Sequence, residues 1–533
     1  MILETLSLFS FWNAVNVFCI ISILYVVNFY FLYFIRQNPL PGPFPLPLVG
    51  NLFQLLLFAG DIGKWGLHCQ EKYGDIWETY VGNAKIIWLA RADLAEKLMS
   101  PSRDSNYFHR TWENCGFNEL GFSASGIIFN RNKTTWAFNR KMFAQAITSS
   151  KFTTPAIEWV QTMFVEMEGY LLGLGYDEKE FNFADWIPRL FTDMLFAMTM
   201  DKYACTLATL YNSHNPPKLA PYPEEAVAES DIFVKSMRKQ FHALKYFRFT
   251  PEIIRNKTPF GRKKTKDYLD NLVWLRGVLI NIIREKREKI MNTDEALRPD
   301  LMTLLAAVNT SKDMTQKSES IVEPPLTDEE IGNCFIDITS GGIDTSSNLI
   351  CSIIYCIVKH PEVKKRLRFE LDTVLGTDPV RIISHEDLNK LEYTEAVIQE
   401  VSRLHPVTPF VSRLPDKDDV IGGYPIKGGE LLFVSVSGIQ LHPKHWHNPK
   451  EFNPDRFLER DRSSIKCEFP MFGGGLRLCP GRQLAMTEMK IIIAMIFRKY
   501  DPELATPDTT PKYKYEGINR CYELMLRFKK RID

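Results

Sequence analysis

The sequence predicts a mainly α protein with a smaller β-rich region, carried behind an N-terminal transmembrane helix. Three observations predict this. The chain opens with a long apolar segment free of charge. Long amphipathic stretches dominate the rest of the chain, and strand-like runs are few. No repeat of 20–50 residues is evident, which argues against solenoids and propellers.

No charged residue lies between Glu4 and Arg36, and Ala14 to Ile35 is broken only by Asn16, Ser22 and Asn28. A helix of about 20 such residues crosses a hydrocarbon core about 30 Å thick. A secretory signal would start basic, run shorter and end at small residues. A buried core helix rarely stays charge-free this long. Arg36 directly after the run favours a cytosolic body. Pro39, Pro41, Pro43, Pro45 and Pro47 then end any helix and predict a semi-rigid extended spacer.

Further along, Ile86–Leu89 and Leu431–Val436 are the better strand candidates. Asn212–Pro223 and Asn309–Pro325 are polar and predict loops. The basic stretch holding Arg255, Lys257, Arg262, Lys263, Lys264 and Lys266 is most simply a solvated face. Thr327-Asp328-Glu329-Glu330 is a capping box that opens a helix running to about Val358, ahead of His360-Pro361. Ser384–Leu404 predicts another helix, stopped by His405-Pro406, and Arg482–Phe497 a last one.

Composition bounds the function. Over 533 residues, 65 Lys+Arg face 64 Asp+Glu, so no charge excess exists to neutralise phosphates, and nucleic acid is not expected as a partner. Apolar residues at 45% argue against disorder. Ten cysteines are too dilute for a disulfide scaffold. Length alone suggests three or four domains at about 150 residues each.

The most informative segment is Phe472-Gly473-Gly474-Gly475-Leu476-Arg477-Leu478-Cys479-Pro480-Gly481. It lacks the Lys-Ser/Thr ending of a phosphate loop. It also lacks the second Cys or His of a zinc site. A lone Cys is most often a small buried hydrophobe. Here, glycines allow a backbone to approach a flat ligand, and a helix N-terminus is expected to lower the thiol pKa. Trp136 and Arg140 share a helix face, one turn apart. Glu400 and Arg403 are spaced for an i, i+3 pair, which in most proteins is ordinary surface pairing. Gly341-Gly342-Ile343-Asp344-Thr345-Ser346 places two glycines, each costing about 1 kcal/mol against Ala, and an acid and alcohol inside an apolar helix. His442, His445 and His447 cluster without a supporting metal motif, so no role is assigned to them.

Together these strings resemble the cytochrome P450 family. The Phe472–Gly481 segment matches F-x-x-G-x-R-x-C-x-G, the family's haem-binding loop, and continues into Leu484-Ala485 and Glu488. The W-x-x-x-R of Trp136 and Arg140, the E-x-x-R of Glu400 and Arg403, and Phe452-Asn453-Pro454-Asp455-Arg456-Phe457 appear in the family's order. The resemblance implies a single large cytochrome P450-like domain, with a membrane anchor at 1–36, a Pro-rich hinge at 37–50 and the haem domain at 51–533. It implies Cys479 as the thiolate ligand to iron of haem b (iron protoporphyrin IX). Phe472 and Arg477 belong to the haem-binding loop; Trp136, Arg140 and Arg413 would reach propionates. Glu400, Arg403 and Arg456 would form a structural triad. Asp344 and Thr345 match the oxygen-activation motif, with Gly341 where many members have Ala.

The implied activity is a haem-thiolate monooxygenase that inserts one atom of O2 into a small lipophilic substrate. Electrons would come from NADPH through NADPH-cytochrome P450 reductase, with cytochrome b5 as a second donor. The implied location is the endoplasmic reticulum, single-pass, with the body cytosolic. Two alternatives stand beside it. One is a haem-thiolate isomerase or dehydratase that does not use O2, which the intact Asp344-Thr345 pair disfavours. The other is a non-catalytic membrane haem sensor.

Overall fold

The computed structural model describes residues 2–532 except 83, 103, 113–115, 123, 215–218, 293–299, 314–323 and 460–466. The loops expected at Asn212–Pro223 and Asn309–Pro325 therefore lie partly outside the described residues. Helix α1 spans Ile2–Phe34. Its Trp12–Phe34 stretch has a mean hydropathy of 2.2, and its apolar window holds no buried residue. It is long and apolar enough to serve as a membrane anchor.

The proline-rich stretch is extended but not free. The Pro41 carbonyl accepts from Glu78 N at 2.9 Å, and the Pro43 carbonyl from Asn51 Nδ2 at 3.1 Å. Arg36 donates to Glu78 and, at 2.7 Å, to the Tyr80 hydroxyl, with its guanidinium 3.8 Å from the Tyr33 ring centroid. The end of the anchor is thus tied to the first strand of the body.

That strand, β1 (Ile76–Val81), pairs antiparallel with β2 (Ala84–Leu89). Two distant segments complete the sheet, β3 (Phe410–Arg413) and β4 (Leu431–Ser435), in the order β1-β2-β4-β3. β2 and β4 run parallel, with Trp88 level with Phe433. The aromatic and branched residues that predict the strands fill its faces: Trp77 stacks on Trp88 and Phe410 on Phe433. β3 ends in Arg413, delivered buried to the end of an edge strand.

Helices form the rest of the body. They include α2 (Lys133–Thr148), α3 (Ser150–Gly173), α4 (Phe183–Met200), α5 (Glu224–Phe249), α6 (Glu252–Lys257) and α7 (Pro259–Asn292). The central one is α8 (Asp328–Lys359). Its capping box forms as expected: Thr327 Oγ1 accepts from Glu330 N, and Glu330 Oε2 accepts from Thr327 N at 2.9 Å. Ile331, Phe335, Ile350, Ile353, Ile354 and Ile357 are buried in the main apolar core, each worth about 1.5–3 kcal/mol relative to exposure. Two further helices come next, α9 (Pro361–Leu375) and α10 (His385–Lys390).

Here the expected single helix over Ser384–Leu404 is corrected. It breaks at Leu391, and α11 restarts over Glu392–Leu404. The cause is tertiary. Glu370 of α9 accepts from Tyr393 N at 2.6 Å and Thr394 N at 2.9 Å, capping α11 from another helix. A second correction concerns the basic stretch, because Arg255 on α6 is buried and paired rather than solvated. The last long helix is α12 (Arg482–Lys499), and beyond it lies a two-stranded hairpin, β5 (Lys512–Tyr515) with β6 (Asn519–Glu523).

The E-x-x-R pair is not a surface pair. Arg403 binds both carboxylate oxygens of Glu400, at 2.7 and 2.8 Å, and both side chains are fully buried. Arg403 also donates to the carbonyls of Gln440, Pro449 and Glu451. Arg456 reaches Glu400 at 3.1 Å, and Asn453 N donates to the same oxygen at 2.9 Å. The network fastens the segment before the cysteine loop to α11. His442 and His445 are engaged in similar ties, to Asp75 at 2.9 Å and to Ala92 N at 3.2 Å. Arg403→Ala would leave Glu400 buried without its bidentate partner, a loss of about 3–5 kcal/mol. We expect a lowered urea unfolding midpoint; an unchanged midpoint would contradict the structural role.

Candidate active site

The cysteine loop is built by glycine. Gly473 and Gly475 take φ of 75° and 65°, a region that other residues rarely adopt. A Cβ on Gly474 would come within 2.8 Å of Met99, and one on Gly475 within 2.4 Å of the Ser100 carbonyl. The loop therefore lies flush against residues 99–100. Cys479 N donates to the Phe472 carbonyl at 3.0 Å, closing the loop just before α12.

The thiol differs from the expectation drawn from its place near a helix N-terminus. Burial pushes the Cys479 pKa up. The Gly481 amide and the charges of Arg140, Arg110 and Arg482 only partly oppose this.

Around the loop stand four buried or largely buried arginines. Arg140 of α2 donates to the Leu478 carbonyl at 2.5 Å. Arg413 donates to the Gly474 carbonyl at 3.2 Å and the Leu98 carbonyl at 3.2 Å. Arg477 donates to the Ile128 carbonyl at 2.7 Å and lies 4.9 Å from the Trp136 ring centroid. The Trp136 indole N–H is taken by the Ile127 carbonyl at 3.1 Å, so this residue presents its ring rather than its donor. The fourth, Arg110, donates to the Arg477 carbonyl at 2.6 Å. Sequence reasoning missed it. It lies in a loop with no recognisable spacing, and only its burial beside the cluster reveals it.

The electrostatics of this group are unfavourable as they stand. Burial, then mutual repulsion, pushes Arg413 down to about 9 and Arg110 to about 10, and lowers Arg477 well below its ordinary value. Arg477 Nε and Nη1 and Arg110 Nε are buried without a hydrogen-bond partner. Buried cations with unused donors call for an anion. Arginine donors suit carboxylates, and haem carries two propionates beside a flat ring that a glycine loop can approach. The residues present fit the group.

The facing side is α8. A Cβ on Gly341 would lie 3.7 Å from Ile128 Cδ1, and one on Gly342 3.8 Å from Leu195. These are ordinary contacts, so Ala would also fit at position 341. Thr345 Oγ1 donates to the Gly341 carbonyl at 2.7 Å. Burial raises the Asp344 pKa, opposed by the charges of Arg520 and Arg238. Asp337, two turns earlier, accepts from Ile127 N at 2.6 Å and Ile128 N at 2.9 Å. The loop that carries Ile128 is thereby held between α8 and Arg477.

A central helix with an acid and alcohol, a glycine-lined cysteine loop and a buried arginine cluster define a haem-thiolate fold. The chain belongs to the cytochrome P450 family: the profile described as Cytochrome P450 matches residues 40–524. It is a cytochrome P450 monooxygenase whose cofactor is haem. Cytochrome P450 3A13 of Mus musculus is 24% identical over 473 residues, covering 87% of this chain and 86% of that protein. Aromatase 1 of Sus scrofa is 25% identical over 525 residues, covering 97% and 91%. The crystal structure of the cytochrome P450DA heme domain superposes with a TM-score of 0.73 at 21% identity, over 93% of this chain and 98% of that one.

Arg477→Leu removes the arginine with two unused buried donors. We expect the purified variant to carry less than about half the haem per polypeptide of the wild type, measured by pyridine haemochrome, since a charge-assisted bond is worth about 1.5–3 kcal/mol. Wild-type haem content would contradict the assignment.

Proposed function

We propose that the enzyme inserts one oxygen atom from O2 into a lipophilic substrate of the fatty acid, sterol or terpenoid class. NADPH-cytochrome P450 reductase, with cytochrome b5 as a second donor, would supply the electrons. The apolar α1 helix supports a division into an anchor at 1–36, a hinge at 37–50 and a catalytic body at 51–533. It also supports placement in the endoplasmic reticulum membrane with the body on the cytosolic side. Among relatives of similar coverage, one is named lithocholate 6-beta-hydroxylase. That name favours a sterol-like substrate.

The observation that carries the site reading is the buried arginine cluster around the Cys479 loop. In this reading Cys479 ligates the haem iron. Arg110, Arg140, Arg413 and Arg477 hold the propionates, with Trp136 packed beneath Arg477 and Phe472 closing the loop. Bound through a thiolate, haem supplies the oxygen-activating chemistry, since thiolate donation favours O–O cleavage. The chain's own residues orient the substrate and manage protons. Ile128 and Leu195 face the two helix glycines and limit the space there. Thr345 holds a proton on Oγ1 beside the Gly341 carbonyl. The raised pKa of Asp344 keeps its carboxyl protonated to higher pH than an exposed Asp, so it can resupply that hydroxyl. The intact pair favours O2 chemistry over an isomerase or dehydratase.

Two variants test this reading. Cys479→Ala should abolish the strongly red-shifted band of the reduced, CO-bound protein; retention of that band would refute thiolate ligation by Cys479. Thr345→Ala should raise peroxide release per NADPH consumed by about tenfold or more, since a positioned proton donor is worth about 10²–10⁴-fold in proton-transfer rate. Coupling equal to wild type would reject the proton-delivery role.

A further inference from the structure

The last turns of α5 carry Phe241, Lys245 and Arg248 on one helix face. This face reaches the site. Arg248 Nη2 donates to Ser412 Oγ at 3.4 Å, next to Arg413 of the arginine cluster, and its charge adds to the repulsion that lowers Arg110. One turn earlier, Lys245 meets the turn of the β5–β6 hairpin. A Cβ on Gly517, which takes a φ of 93°, would come within 3.2 Å of Lys245 Cε. The hairpin is fixed in this place. Asn519 N donates to the Val407 carbonyl at 2.8 Å, and Cys521 N to Asn348 Oδ1 of α8 at 2.6 Å.

Along α8, residues 331–337 and 346–354 are buried, whereas 340–345, the stretch that holds Asp344 and Thr345, are partly accessible. The helix is open where its acid and alcohol lie. Asp344 and Lys245 each act on the other's charge, so the ammonium belongs to the same opening. It is not balanced there. Burial lowers the Lys245 pKa, opposed by the charges of Glu516 and Asp344. Glu516 is already engaged by Arg520 at 3.2 Å and by Lys514 at 3.4 Å. Burial shifts Asp344 toward its neutral form. Among the described residues Lys245 makes no ion pair or hydrogen bond, and its Nζ lies over the Phe241 ring, 5.5 Å from the centroid. A half-buried cation without a counter-charge suits a ligand that brings an anion. One ammonium balances one negative charge, which fits a carboxylate better than a phosphate monoester carrying nearly two.

We propose that Lys245 is a substrate-binding residue and that the substrate is a lipophilic carboxylic acid. Its carboxylate pairs with the Lys245 ammonium beneath the β5–β6 turn, and its hydrocarbon part extends past Asp344 and Thr345. The inference rests on the proposed function in taking the space between α8 and the cysteine loop as the substrate site.

The test titrates the haem-loaded, membrane-reconstituted enzyme with two iron ligands that differ at one end, ω-imidazolyl-dodecanoic acid and N-dodecylimidazole. Binding is read from the shift of the haem absorption band near neutral pH, where the acid is ionised. Each probe is compared only with itself across variants, so partition into lipid cancels. In Lys245→Gln the acid should bind about tenfold or more weakly, the loss expected of one charge-assisted bond. The affinity of N-dodecylimidazole should change by less than about twofold. Lys245→Arg keeps the charge and should recover most of the loss. Unchanged acid affinity in Lys245→Gln, an equal loss for both probes, or a wild-type enzyme that binds only the neutral probe overturns the carboxylate site. Imidazole ligation needs only a bound haem, whereas NADPH-driven product formation by the same wild-type preparation tests the functional reading. The two can therefore fail separately.

Discussion

Four arginines drawn from distant parts of the chain converge on one buried spot, and their charge is not compensated by the protein. Arg110 comes from a loop, Arg140 from α2, Arg413 from the end of β3 and Arg477 from the cysteine loop itself. Burying like charges together is costly unless an anion joins them. Asp337 contributes opposing charge to Arg477 and Arg110, but its oxygen is already engaged by two backbone amides. The cluster is explained by a ligand that brings its own negative charge, and the rest of the fold serves to hold these side chains in place.

That service is visible in the architecture. The four-stranded sheet fixes Arg413 by its pairing with Leu432, and the stacked Trp77, Trp88, Phe410 and Phe433 rigidify the same sheet. The buried Glu400–Arg403–Arg456 network anchors the segment that leads into the cysteine loop. Helix α8, capped at Thr327 and buried along much of its length, supports the opposite wall through Gly341, Gly342 and Asp337. Loops and helices that carry the reaction are thus positioned by bonds made far from it.

Much of this is legible in the sequence. The Phe472–Gly481 string, the capping box at Thr327, the break before Pro361 and the apolar α1 depend on residues close together in the chain. Local geometry decides them, so spacing suffices. The parts that cannot be read depend on tertiary partners. Glu370 breaks a helix that periodicity makes continuous, because it caps α11 from α9. Arg255 reads as a solvated cation because nothing nearby in sequence reveals Glu119. Arg110 has no motif. The family resemblance has Trp136 reaching a propionate, whereas the Ile127 carbonyl takes its N–H. A place near a helix predicts an acidic Cys479 thiol, but burial outweighs the helix and the nearby arginines.

The central claim is that the arginine cluster recognises the two carboxylates of haem. The most direct measurement compares reconstitution of the apoprotein with haem and with its dimethyl ester, which keeps the iron and ring but removes both charges. Esterification removes two charge-assisted bonds worth about 1.5–3 kcal/mol each, so the ester should bind at least about 100-fold more weakly. Equal affinity for haem and its diester would contradict the account.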